Sequence, residues 1–248
     1  MSPASAPLPV IERRGYRQLL LDIEGTTCPV SFVAETLFPY ASRHLGSYLQ
    51  AHRDQATVHQ LLGEVEEAWE RDANPEARQL RLQQAEALDY LQLLIRQDRK
   101  LTALKELQGL VWRDGYARGD LRAPLYADVP AALQRWHASG VALAVYSSGS
   151  VTAQRLLYGH SDAGDLQPLF EHWFDTRIGP KQEQISYERI ARELQCPNAT
   201  VLFISDALAE CEAASAAGMT VLFSDREGNP HRDSGRFERI CSFDQLVL

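Results

Sequence analysis

The stretch Gln18-Leu19-Leu20-Leu21-Asp22-Ile23-Glu24-Gly25-Thr26-Thr27 runs apolar chain straight into two carboxylates, followed by a glycine and two hydroxyls. A short apolar run closed by Gly reads as a strand buried on both faces. Buried strands of α/β proteins end at the carboxyl edge of the sheet, where ligands bind. Strand side chains alternate, so Asp22 and Glu24 are expected on one side of the chain, at the mouth of a site. The pair alone is equally compatible with acids that cap a loop and face water. What decides between the two is the rest of the chain.

With 248 residues, 45% of them hydrophobic and 23% charged, the composition is that of an ordinary globular protein with a sizeable core. A net charge of −8 argues against a nucleic-acid backbone or an anionic membrane surface as partner. An anionic substrate therefore needs local positive groups or a metal. Cys28, Cys196, Cys211 and Cys241 are scattered, without the spacing of a zinc site or of a dense disulfide framework. Reduced thiols in a cytoplasmic protein are the simplest expectation. The N-terminal stretch MSPASAPLPVIERRGY has no apolar signal core, and residues 1–15 are expected to be a loose, flexible tail.

Strand-like segments at Tyr16–Asp22, Ala142–Tyr146, Val201–Ile204 and Thr220–Phe223, with a weaker one at His172–Thr176, alternate with helical patterns. Those helices are expected at Pro130–Ser139, Val151–Tyr158, Gln184–Leu194 and Ala209–Ala217. The alternation predicts an α/β fold, a doubly wound parallel sheet. From Pro29 to about Arg122 the pattern is purely helical, with segments Phe32–Leu49, Ala56–Arg71, Pro75–Asp98 and Leu101–Tyr116. The expected organisation is therefore a core of 16–29 and 123–248 interrupted by an all-helical insert over 30–122. Inserted directly after Asp22-x-Glu24, such a unit is placed to act as a cap that excludes water.

Three later segments look like companions of the first. Ala142–Tyr146 runs into Ser147-Ser148-Gly149-Ser150 before a helix, a setting suited to phosphate oxygens and equally to a plain Ser N-cap. Gly179-Pro180-Lys181 precedes another helix and offers a cation. Val201–Ile204 runs into Ser205-Asp206, with Glu210 one helical turn on. Asp206 fits either a helix cap or a carboxylate that joins Asp22 on a hard divalent ion.

The order of these four motifs resembles that of the haloacid dehalogenase-like phosphohydrolases. The segments DIEGTTCPVSFVAETLFPYA, LQGLVWRDGYARGDLRAPLYADVPAALQRWHASG and VYSSGSVTAQRLLYGHSDAGDLQPLFEHWFDTRIGPKQEQISYERIA are more specific. They resemble the enolase-phosphatases of methionine salvage, over a span from about Tyr16 to Asn229. Two positions depart from that pattern: Ser205-Asp206-Ala207 stands where Thr-Asp-Val is usual, and Pro180 stands where His or Asn is usual.

The resemblance implies a haloacid dehalogenase-like core with a helical cap. It also implies a Mg²⁺-dependent enzyme that enolises and then dephosphorylates 2,3-diketo-5-methylthiopentyl 1-phosphate, giving the acireductone 1,2-dihydroxy-5-methylthiopent-1-en-3-one and phosphate. Asp22 is then the nucleophile, and Glu24 the general acid and later the base, which requires a raised pKa. Ser147 and Ser148 hold phosphate oxygens, and Lys181 balances charge. Asp22, the backbone carbonyl of Glu24 and Asp206 hold Mg²⁺. The expected partner is a small phosphorylated diketone, with no nucleic acid and no membrane, and the chain is expected to act as a monomer. A plain phosphomonoesterase of the same superfamily, acting on another small sugar or nucleotide phosphate, is the alternative that the four generic motifs serve equally.

Overall fold

Leu19, Leu20 and Leu21 are completely buried, and they lie in the middle of a sheet. In the computed structural model, which describes residues 9–248, the strands are β1 (Ile11–Glu12), β2 (Gln18–Leu21), β3 (Ala142–Tyr146), β4 (Phe170–Phe174), β5 (Val201–Ser205), β6 (Thr220–Ser224), β7 (Arg239–Ile240) and β8 (Leu246–Val247). Six of them form one sheet in the order β4-β3-β2-β5-β6-β7, every neighbouring pair parallel. β2 is flanked on both sides, which is why its leucines need no polar face. The chain fills the sheet outward from β2 through β3 and β4, then returns to β5 on the other side. Strand order thus reverses at β2, and ligands of open α/β sheets bind outside the carboxyl ends at such a point.

The described chain divides into two units, one comprising the residues up to Phe32 together with Arg122–Leu248, the other Val33–Leu121. The first holds the sheet and the helices α6 (Val129–Ala138), α7 (Val151–Gly159), α8 (Gln184–Glu193) and α9 (Leu208–Ala216). Leu20, Tyr146, Tyr187, Ile190, Phe203 and Phe223 belong to one continuous buried cluster that joins the sheet to α8 and α9. β4 begins two residues earlier than the weak pattern at His172–Thr176 suggests. Phe170 and Phe174 supply its buried positions, whereas Asp175 starts a turn by accepting from the Arg177 N–H at 2.9 Å.

The expectation of a loose tail over residues 1–15 needs correction where the chain is described; its first eight residues lie outside the described range. Ile11–Glu12 pairs in parallel with Leu246–Val247. Ile11 is buried, and the Arg13 N–H donates to the Val247 carbonyl at 2.8 Å. An apolar residue with a strand edge available pairs with it despite the surrounding Pro and Arg.

The second unit is all helical: α1 (Phe38–His52), α2 (Ala56–Glu70), α3 (Pro75–Leu82), α4 (Ala87–Arg96) and α5 (Thr102–Arg118). Two elements differ from the periodicity. A π-helical turn, Phe32–Leu37, precedes α1, where Pro39 has no N–H to continue an ordinary ladder. The single helix expected over Pro75–Asp98 is two helices. Gln84 takes a left-handed φ of 57°, and Glu86 and Asp89 then form a reciprocal capping box that starts α4.

Trp69, Tyr90 and Trp112 are core residues of this unit. Trp69 and Tyr90 stack at 5.0 Å, and their polar atoms are used internally. Trp69 Nε1 donates to the Ala77 carbonyl, Tyr90 Oη donates to Asp72, and Trp112 Nε1 donates to the Leu37 carbonyl. Among the described residues no helix is long and apolar enough to cross a membrane.

α3 begins on Asn74, whose side chain accepts from the N–H groups of Glu76 at 2.9 Å and Ala77 at 3.3 Å, with Pro75 in the first turn. Asn74→Ala removes that cap and is expected to cost about 1 kcal/mol of stability, measured as a lowered urea midpoint with unchanged slope.

Candidate active site

The site is assembled from loops at the carboxyl ends of β2, β3, β4 and β5. β2 stops at Leu21, and the Asp22 N–H extends its ladder by donating to the Ile204 carbonyl at 3.0 Å. The Asp22 side chain is buried, and both of its oxygens are engaged. Oδ1 accepts from the Ile23 N–H at 2.7 Å and from Lys181 Nζ at 2.6 Å. Oδ2 lies 3.1 Å from Ser205 Oγ. A carboxylate pinned in this way keeps one rotamer, as a group that must attack along a fixed line requires.

Lys181 is delivered by a loop whose successive carbonyls are each held by a side chain. Arg189 donates to the Ile178 carbonyl and Tyr146 Oη to that of Gly179. Ser186 Oγ donates to the Pro180 carbonyl, and Tyr187 Oη to that of Lys181 itself. Gly179 is required here: its φ is +150°, and a Cβ would stand 2.2 Å from Ser186 Oγ. The ammonium is nearly enclosed and bridges Asp22 Oδ1 at 2.6 Å and Glu210 Oε2 at 2.7 Å. Burial by itself would lower the pKa of Lys181, but the attraction of these two carboxylates outweighs it and raises the value, so the lysine stays a cation.

Glu210 is the participant that motif reading left without a role. It sits in the first turn of α9, and Asp206 lies in the bend between β5 and that helix, so one strand-to-helix connection delivers both acids. Burial first, then the Asp22 charge, push its pKa up to about 7 against the pull of Lys181. Ser205 Oγ accepts from the Ala207 N–H and lies 2.9 Å from Glu210 Oε2 as well as 3.1 Å from Asp22 Oδ2. One hydroxyl proton serves one carboxylate only. Ser205 therefore donates to one of the two acids at a time, and Lys181 Nζ, which reaches both, serves the other.

Asp206 and Glu24 complete the acidic cluster. The Asp206 pKa is pushed up to about 7, chiefly by burial and next by Asp22. Glu24 is also raised, by burial and then by Asp22, with Lys181 opposing. A raised Glu24 is the property that a proton donor at this position needs. Gly25, with φ +68°, lets Asp206 close on the loop: a Cβ at Gly25 would stand 2.0 Å from Asp206 Oδ2.

Ser147 and Ser148 follow β3, the neighbour of β2. Ser147 is buried, donates its N–H to the Phe174 carbonyl and accepts from the Gly149 N–H at its Oγ. This leaves its hydroxyl proton for another acceptor. Ser148 is exposed, and Ser150 caps α7 by accepting from the Ala153 N–H.

A divalent cation fits this set. Burial first, then the nearby Asp22 charge, raise the proton affinity of Glu24, Asp206 and Glu210, while Lys181 is the cation that opposes this. Among the described residues no group of three His, Cys, Asp or Glu side chains forms a ready-made metal cage.

The model of the haloacid dehalogenase-like hydrolases matches residues 16–218. The chain is 52% identical to Enolase-phosphatase E1 of Synechococcus sp. (strain RCC307) over 94% of both chains. It belongs to the enolase-phosphatase family of these hydrolases. Enolase-phosphatase E1 of Aquifex aeolicus (strain VF5) is 44% identical over 94% of this chain and 99% of its own. The crystal structure of the UTR4 protein of Saccharomyces cerevisiae superposes with a TM-score of 0.75 at 33% identity, covering 91% of this chain and 97% of that one. The fold expected from the four motifs, a haloacid dehalogenase-like α/β core together with a helical unit, is the fold of this family. Membership makes the chain an enzyme, a phosphatase of the enolase-phosphatase type.

Two outcomes are expected. In the metal-free protein Asp206 and Glu210 titrate near about 7 when folded but near about 4 when unfolded. The native state therefore holds the extra protons between these values, and stability falls as pH rises through that window. Thermal melts should show this decline, and Mg²⁺ should raise the melting temperature more at about pH 8 than at about pH 5. Gly25→Ala forces Asp206 off the loop, and isothermal titration should show Mg²⁺ affinity reduced at least about tenfold, within the range of losses at disturbed metal sites.

Proposed function

We propose that the chain converts 2,3-diketo-5-methylthiopentyl 1-phosphate to 1,2-dihydroxy-5-methylthiopent-1-en-3-one and phosphate by enolisation followed by hydrolysis through a phosphoryl-enzyme on Asp22. The observation that carries this reading is the junction of Asp22 and Lys181 at 2.6 Å at the end of the central strand. It stands in a chain whose relatives with 44–52% identity are named enolase-phosphatases.

Enolisation moves a proton from carbon 1 to the oxygen of the neighbouring ketone, and leaves the phosphate ester on an enol. An oxygen of Asp22 then attacks phosphorus, the bond from phosphorus to the enol oxygen breaks, and Glu24 gives that oxygen its proton. Glu24, now a carboxylate, takes a proton from water as the water oxygen attacks phosphorus. The bond from phosphorus to Asp22 breaks, and both acids return to their starting states. Lys181 holds Asp22 in its aim through the 2.6 Å contact and offers its charge to the phosphoryl oxygens. The hydroxyl of Ser147 and the N–H of Ser148 take the remaining oxygens.

Asp22, the Glu24 backbone carbonyl and Asp206 would hold Mg²⁺, which supplies charge neutralisation for the phosphoryl group in transit. That local positive charge is what lets a chain of net charge −8 accept an anion. The helical unit enters the sequence shortly after Asp22 and Glu24, a position that supports its role as a cap.

The test offers the diketo phosphate with Mg²⁺ and follows enol absorbance together with released phosphate. Both signals should appear and both should be lost on chelation. Asp22→Asn should lower phosphate release at least about a thousandfold, and Glu24→Gln about a hundredfold or more. Turnover of generic phosphate esters without turnover of the diketone would instead identify a plain phosphomonoesterase.

A further inference from the structure

The loop that follows the two acids is gripped by the last residue of β6 and the segment that follows it. The Gly25 carbonyl accepts from Ser224 Oγ and from Asn229 Nδ2, each at 2.9 Å. The next carbonyl, that of Thr26, accepts from Arg226 Nε at 3.2 Å, and that of Thr27 accepts from the Tyr126 N–H at 3.1 Å. Ser224, Arg226 and Asn229 are all buried.

Arg226 is itself built in. Its Nη1 donates to Asp128 Oδ1 at 3.0 Å, to Asp128 Oδ2 at 2.8 Å and to the Cys241 carbonyl at 3.0 Å. The guanidinium lies 4.6 Å from the Tyr126 ring centre and 4.7 Å from that of Phe243. A buried ion pair is an expensive way to gain stability, because desolvation offsets most of the attraction. Here the guanidinium does something a hydrophobic replacement cannot, which is to carry a rigid donor to the backbone two residues beyond Glu24.

We propose that Ser224, Arg226 and Asn229 are positioning residues for the phosphoryl-transfer reaction: by holding the Gly25 and Thr26 carbonyls they fix the turn that aims Glu24. The inference rests on the reading of Glu24 as the proton-transfer group. The grip explains how Gly25 keeps its left-handed φ of +68° with Asp206 pressed against it. Buried carbonyls need donors, and along this turn the donors come from a segment about 200 residues away in sequence. Loss of one of them lets the turn relax without moving the nucleophile, which is held separately by Lys181 and Ser205. Misplacement of a proton donor slows the chemical step and leaves ground-state binding alone.

The experiment compares Ser224→Ala, Arg226→Lys and the pair Ser224→Ala with Asn229→Ala against Tyr16→Phe. Tyr16→Phe removes a 2.6 Å hydrogen bond to Thr220 on the same unit, away from this turn. The expected result is kcat lowered about tenfold in each single variant and about a hundredfold in the pair, with KM within about twofold. Tyr16→Phe should keep its kcat whatever happens to its melting temperature.

Hydrogen exchange read by mass spectrometry supplies an activity-independent measure: peptides covering residues 23–28 should exchange at least about tenfold faster in the positioning variants than in Tyr16→Phe. Unchanged exchange over 23–28 overturns the proposal, and so does a kcat that falls only in proportion to the folded fraction. Failure of the substrate assignment looks different. Wild type then leaves the diketone untouched, and the same comparison is made with a generic phosphate ester and with the exchange data.

Discussion

One buried ammonium organises the site. Lys181 sits between Asp22 and Glu210 at 2.6 and 2.7 Å, at the centre of a group of acids that would otherwise repel one another. Two carboxylates brought this close in a dry environment cannot both stay ionised at low cost. The lysine offers its charge to both Asp22 and Glu210. Burial and then the Asp22 charge push the Glu210 pKa up against the pull of that cation. Burial first, then the Asp22 charge, raises Glu24 and Asp206 as well. A single arrangement of charge thus places an acid held by a lysine at the end of the central strand, beside acids whose raised proton affinity suits a proton donor or a bound cation.

The fold supports this arrangement mainly by holding backbone carbonyls. The loop that carries Lys181 has its carbonyls engaged by Tyr146, Ser186, Tyr187 and Arg189. The turn after Glu24 is engaged by Ser224, Arg226 and Asn229. In both, a glycine with an unusual φ makes the turn, and its missing Cβ lets a side chain of the site approach. Side-chain donors aimed at loop carbonyls give those loops a rigidity that loops seldom have on their own, which a site requiring sub-ångström placement depends on.

Much of this could be read from the sequence, for local reasons. The run Leu19–Leu21 signals a strand covered on both faces, and Ala142–Tyr146 appears as a strand with the bounds its apolar residues suggest. Asp22 and Lys181 could be paired because each follows a strand end or precedes a helix in a recognisable order. What could not be read depends on distant parts of the chain. The role of Glu210 arises from Lys181 reaching it across the sheet. The tie of Ile11–Glu12 to Leu246–Val247 joins opposite ends of the described chain. The break at Gln84 turns on one left-handed residue in a stretch whose helical periodicity continues on both sides.

The central claim is that Asp22 becomes covalently phosphorylated. Rapid acid quenching during turnover, followed by peptide mapping, tests it most directly. The account predicts a hydroxylamine-labile phosphoryl group on the peptide bearing Asp22, more abundant in Glu24→Gln if water attack becomes the slower step, and absent from Asp22→Asn. Steady phosphate release from wild type with no such adduct under these conditions, or with the adduct on a different residue, would contradict it.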